Sequence, residues 1–219
     1  MNLIVALAVG AVSIAATLPP GAQDWDDNVY LALLFTGEYE APAATVETIA
    51  QDRAAIEAAF PEAELRTLYR NWEPGQLVCT LTPAAWSDYI TGGLPELRQF
   101  LQDNSCVVVD TNGTFFQLDI GSYRALHPEV LVTRIKAIDG VAVAYPFGHC
   151  CDGNTIEVRS VGPTSRYVYR RAWGDCLMGC IYKYFWEFEV TGGAPRLVAE
   201  WGDALATESE SWGALKSRY

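Results

Sequence analysis

The side chains with the most chemical potential in this 219-residue chain are six cysteines, two histidines and a few close-set carboxylates. His149-Cys150-Cys151-Asp152, followed by Cys176 and Cys180, has the residue types of a zinc site. Its spacing argues against one, because adjacent cysteines rarely chelate a single tetrahedral ion. Cys176 and Cys180 are instead four apart, each preceded by glycine, in Gly174-Asp175-Cys176-Leu177-Met178-Gly179-Cys180. A turn brings such a pair within bridging range, so the stretch is expected to be a loop closed by its own disulfide. A thiol nucleophile working with His127 or His149 would have to stay reduced, and an even set of cysteines pairs off without a spare. His127, before Pro128, reads as a helix cap or a surface residue. Asp110 with Asp119, or Glu187 with Glu189, have the chemistry of a glycosidase pair, but carboxylates on exposed strand faces are usually only solvated. Asp24, Asp26 and Asp27 lack the glycine and distal glutamate of a calcium loop. No Gly-x-Ser-x-Gly, phosphate-binding or His-Glu-x-x-His motif occurs. The sequence therefore predicts no catalytic residue, no metal and no cofactor.

The cysteines also speak to compartment. Residues 1–16 form an apolar run too short to span a bilayer, with Ser13 and Ala15 offering a peptidase site after Ala15 or Ala16. With the even cysteine count, this points to an export signal and an oxidising destination, the bacterial periplasm or the outside of the cell. The n-region has no lysine or arginine, and the alternative is an apolar segment retained in an assembly. Cys150 and Cys151 are expected to reach back to Cys79 and Cys106, in an order the sequence leaves open, since a vicinal bridge would close a strained ring.

Half of the residues are hydrophobic and 19% are charged, so the chain is globular and has enough apolar surface for a core. The net charge of −12 repels nucleic acid. It is concentrated in the first half: sixteen acids and five bases precede His127, against eleven and ten from there on.

These groups must be positioned by the elements around them. Val29 to Thr36 is a continuous apolar run that predicts a central strand. Val46, Ile49, Ile56 and Phe60 recur at helical spacing after Pro42. Strands are predicted over 65–72 and 76–81, a helix opens at Thr82-Pro83, and a second helical piece runs to Asn104. Asn112-Gly113 joins two strands, 106–110 and 114–119. A helix then opens at His127-Pro128 and a short strand covers 141–145. This order predicts an α+β fold: a ferredoxin-like two-layer sandwich with a helical insertion over 23–147. From Gly148 the pattern becomes an antiparallel β-meander to Trp201. In it Tyr182, Tyr184, Trp186, Phe188 and Val190 share one face. Residues 1–22 are signal and lead-in, and 202–219 a loosely held tail carrying Trp212.

Tyr167-Val168-Tyr169-Arg170-Arg171, Trp173-Gly174-Asp175-Cys176-x-x-Gly179-Cys180 and Tyr184-Phe185-Trp186-Glu187-Phe188, with Arg134 to Val141, resemble uncharacterised secreted bacterial proteins. The resemblance covers the last third to half of the chain. It implies export and a disulfide-closed hairpin, and carries no activity. The expected function is a secreted, disulfide-stabilised binding or interaction protein without catalysis, inhibitor-like in offering a locked loop. Its contact surface would be Trp173, Asp175, Leu177 and Met178, and its ligand a protein or glycan. The alternative is a structural subunit of an envelope or extracellular assembly, which leaves self-assembly open. A carboxylate-dependent hydrolase is less favoured. No stable membrane span is expected.

Overall fold

The computed structural model describes residues 25–65, 67–149 and 151–203. The expected signal segment, Cys150 and the tail from residue 204 lie outside them.

The fold is α+β, with two four-stranded antiparallel sheets, each carrying its own helices. The first sheet contains β1 (Gln76–Leu81), β2 (Cys106–Asn112), β3 (Gln117–Ser122) and β4 (Val141–Pro146), in the order β2-β3-β1-β4. Helices α3 (Pro83–Ile90) and α4 (Pro95–Asp103) connect β1 to β2, and α5 (Pro128–Ile135) connects β3 to β4. Each helical connection therefore joins two strands that have one other strand between them. Leu77, Cys79 and Leu81 of β1 alternate inward, with Leu118 and Ile120 of β3 beside them. Leu97, Leu101, Leu131 and Ile135 close this core from the helical side. Thr82 caps α3 as its type predicts, accepting the Ala85 N–H at 3.3 Å, with Pro83 at the first helical position.

The second sheet is the meander: β5 (Thr155–Ser160), β6 (Thr164–Trp173), β7 (Tyr182–Thr191) and β8 (Ala194–Gly202), in sequence order. Tyr167, Tyr169, Trp186 and Phe188 are its largest fully buried side chains. They pack against α1 (Asp27–Thr36) and α2 (Ala43–Ala59), through Tyr30, Leu31, Leu33, Ile49 and Ile56. Tyr167 keeps its hydroxyl paired in this core, donating to Asp52 Oδ2 at 2.7 Å, which offsets the cost of burying it.

Four expectations are corrected here. The 29–36 run is the helix α1, not a strand. Asp26 caps it by accepting the Asn28 N–H at 2.7 Å, and Gly37, at φ 64°, returns its own N–H to the Leu33 carbonyl. Second, the described residues of the expected 65–72 strand, 65 and 67–72, are irregular; Leu65, Leu68 and Trp72 are buried in the second core without a ladder to align them. Third, the β2–β3 turn spans residues 113–116, so Thr114 to Phe116 leave the strand, and Asn112 Oδ1 accepts the Thr114 N–H at 3.1 Å. Fourth, the helices of 27–59 belong with the C-terminal sheet, not with the strands that follow them in sequence.

The two cores meet around His127 and Trp72, whose rings lie 4.8 Å apart. His127 occupies the N-cap position of α5 without capping it and is buried, against the expectation of a cap or surface role. Burial lowers its pKa, an effect Glu129 partly opposes. Among the described residues, no helix is long and apolar enough to cross a membrane.

Cys79 and Cys106 are buried thiols of the first core. They fill inward strand positions as small hydrophobic side chains and are free thiols, not the half-bridges expected of them. Burial pushes the Cys79 thiol up to about 12 and that of Cys106 to about 11, the latter partly relieved by Ser122 and Arg124. An alkylating reagent should leave both unmodified in the folded protein and label both after unfolding. Trp186→Ala, which empties the centre of the second core, should cost about 3–5 kcal/mol in a denaturant titration.

Candidate functional site

Strands β6 and β7 run in unbroken register to the pair Trp173 and Tyr182, whose rings stack at 5.7 Å. Residues 174–181 form the loop between them, closed by the expected Cys176–Cys180 disulfide with a Cα–Cα distance of 3.9 Å. Two glycines make the loop conformationally accessible. Gly174 turns at φ 95°, where an added Cβ would also press on Ile181, and Gly179 turns at φ 112°. Asp175 Oδ1 accepts the Leu177 N–H at 3.2 Å, and the Cys176 carbonyl accepts the Gly179 N–H at 3.4 Å. A bridge closing so short a ring contributes about 2 kcal/mol on chain-entropy grounds. Its main consequence is therefore a fixed shape for the loop.

The loop is held from behind by Asp152, which the sequence offers only as part of the rejected zinc-type stretch. Its N–H donates to the Cys176 carbonyl at 3.2 Å, and its Oδ2 accepts the Cys180 N–H at 3.3 Å. The same carboxylate pairs with Arg170 of β6 and with Lys183 of β7, the latter at 3.1 Å, and accepts the Gly153 N–H at 2.9 Å. Burial opposes ionisation of this group. The Gly153 N–H, Lys183, Arg170 and the Cys180 N–H outweigh it and hold the carboxyl down at about 2. The segment from Cys151 to Gly153 is thus tied to the loop by charge and hydrogen bonds through Asp152. The available signal was Asp152-Gly153, which reads locally as a turn and gives no sign of a partner near residue 180.

What this scaffold displays is apolar. Leu177 is 74% exposed, Met178 96% and Ile181 63%, with Tyr182 next to them. Asp175 is exposed and caps the loop internally; Trp173 is half-buried under Tyr182. The four predicted contact residues are therefore together at one tip, and Ile181 and Tyr182 extend the surface.

Behind the tip, Asp152 also lines a cleft of about 600 Å³ together with Asp27, Tyr69, Arg70, Glu73, His149 and Asn154. His149 Nε2 lies 3.0 Å from Glu73 Oε1, and Glu73 Oε2 accepts from Arg70 at 2.9 Å. Arg70 continues to Asp27 at 2.8 Å, and Asp27 faces Arg53 at 4.0 Å. Each carboxylate of the cleft is taken up by a cation of the protein itself, so these contacts clamp α1 to the loops that lead into β1 and out of β4.

The paired candidate carboxylates lie on strands, away from this cleft. Asp110 and Asp119 are direct cross-strand partners beside a hollow of about 190 Å³. Glu187 is bound by Arg159 at 3.2 Å, and Glu189 by Arg166 and Arg196 at 2.9 and 3.1 Å. Those two are cross-strand ion pairs, more than the solvated carboxylates expected. Asp26 caps α1 and Asp27 receives Arg70. Among the described residues, no group of three or more His, Cys, Asp or Glu side chains is placed to hold a metal.

Comparison with protein-family models, curated proteins and solved structures finds no match to this chain.

The depressed acidity of Asp152 gives a pH prediction. The stability it contributes is present above its unfolded value of about 3.9 and is lost as the pH falls through about 2. Asp152→Asn should melt below the wild type at pH 7, and the two melting temperatures should converge as the pH falls toward 2.

Proposed function

We propose that this protein is an exported binding protein that makes its principal contact through the disulfide-closed tip. The observation that carries the reading is the exposure of Leu177 and Met178, 74% and 96%, on a loop fixed from behind. Burying two such side chains is worth about 3–6 kcal/mol in transfer terms. Because the loop is closed by a bridge and tied to Asp152, little conformational entropy is lost when it is engaged. Export is supported by the bridge itself, which persists in an oxidising compartment, and by the apolar start of the sequence.

The first sheet, by its strand order and its split helical connections, supports a ferredoxin-like reading of 76–146. In this account it is a platform on which the second sheet is built. Catalysis is not part of the proposal: Glu73, Asp152 and Glu189 are engaged in internal ion pairs, and Asp110 and Asp119 accept hydrogen bonds from the Thr111 N–H and from Gln117.

The test is capture of the natural ligand from the native extracellular or periplasmic fraction by immobilised protein. Leu177→Asp/Met178→Asp should reduce the captured ligand by at least about tenfold, the equivalent of about 1.4 kcal/mol, with the far-UV spectrum unchanged. Loss on His149→Gln, with Leu177→Asp/Met178→Asp unaffected, would move the contact to the cleft and overturn the proposal.

A further inference from the structure

The tip's own chemistry narrows what it touches. This step rests on the displayed-tip reading above. From Cys176 to Tyr182 the chain carries no charged side chain, the neighbouring Asp175 turns its carboxylate onto the Leu177 N–H, and the exposed apolar surface is Leu177, Met178 and Ile181. It projects from the end of a two-stranded ladder, so it is shaped to enter a surface. We propose that the tip inserts into the outer layer of an electrically neutral lipid surface.

Three further observations favour lipid over a protein groove or a glycan. The first is the backbone. The N–H groups of Leu177, Gly179 and Cys180 are satisfied by Asp175, Cys176 and Asp152. Hydrocarbon offers no hydrogen bonds, so each N–H already paired within the loop lowers the cost of entering it. A peptide or glycan partner would use such groups as contacts. The second is the layering of the hairpin. Immediately below the apolar residues lie the stacked rings of Trp173 and Tyr182. These are the amphipathic side chains that settle at a membrane–water boundary. Below the rings come Arg170 and Lys183, the polar level of the hairpin.

The third observation is charge, and it selects the kind of lipid. Arg170 and Lys183 share the single carboxylate of Asp152, the exposed Asp175 adds a second negative charge at the loop, and the whole chain carries −12. Nothing in that distribution draws the protein to an anionic leaflet, which would repel it at long range. A zwitterionic surface leaves the apolar contact unopposed. Three aliphatic side chains give reversible attachment, comparable to or weaker than a single acyl chain, and the binding is expected only at high lipid concentration.

The experiment is flotation of the full chain, with its bridge intact, through a gradient with phosphatidylcholine vesicles at millimolar lipid. A parallel arm uses vesicles enriched in phosphatidylserine. The wild type should float with the neutral vesicles and stay bound when salt is raised. Met178→Leu should behave like the wild type, and Leu177→Asp/Met178→Asp should bind at least tenfold less. Absence of flotation with neutral vesicles, equal flotation of the aspartate variant, or binding confined to anionic vesicles and released by salt would each overturn the lipid assignment. The ligand-capture measurement separates the two readings. If the wild type fails to float but the aspartate variant still loses its captured ligand, the lipid assignment falls and the displayed tip stands with a protein or glycan partner. If the aspartate variant changes neither measurement, both fall.

Discussion

The carboxylate of Asp152 is the point on which the C-terminal half of the molecule depends. It meets Arg170 from one strand, Lys183 from the next, and the N–H of Cys180 at the loop between them. One ionised group thus joins the end of the meander, the disulfide loop and the segment leading out of the first sheet. A carboxylate exposed to water could not do this, because screening would reduce each pair to a marginal contribution. Here the oxygens are largely sheltered and receive main-chain N–H groups as well, so the charge is held by directed bonds. The disulfide sets the shape of the loop, and Asp152 sets where that shape points.

The rest of the architecture explains why such a tie is needed. The chain builds two cores that interleave in sequence: α1 and α2 close the second sheet, while residues 76–146 form the first. The connection from β4 to β5 must therefore cross from one core to the other. It does so past the cleft, where the His149–Glu73 contact and the Glu73–Arg70 and Arg70–Asp27 ion pairs form a continuous line. Much of the acidity of the first half is committed to this internal work: Asp27, Asp52 and Glu73 each bind a side chain from elsewhere in the fold. The cleft and the tip are consequently parts of one braced structure, with the brace at residues 149–153 and the apolar surface at its outer end.

How much of this could be read from the sequence differs by element, for physical reasons. Helix α3 was legible because Thr82-Pro83 combines a side-chain cap with a fixed φ. The meander was legible because Trp186, Phe188 and Val190 alternate at the period of a strand. Helix α1 was misread because a continuous apolar run has no period; its flanks, Asp26 and Gly37, carried the missing start and stop. The amphipathic pattern of α2 showed that one face is buried but could not show against which sheet. The Cys176–Cys180 bridge is local and was readable from spacing, whereas the role of Asp152 depends on Arg170 and Lys183 arriving from strands whose register the sequence does not state. Cys79 and Cys106 were assigned to bridges by counting, when their inward strand positions make them core side chains.

The central claim is that the tip is rigid before it meets anything, and backbone ¹⁵N relaxation of the free protein measures this directly. With the bridge intact, Leu177, Met178 and Gly179 should show order parameters near those of the strands, about 0.8 or above, and should drop toward the flexible range below about 0.6 in Asp152→Asn. Values below about 0.6 for these residues in the wild type would contradict the account.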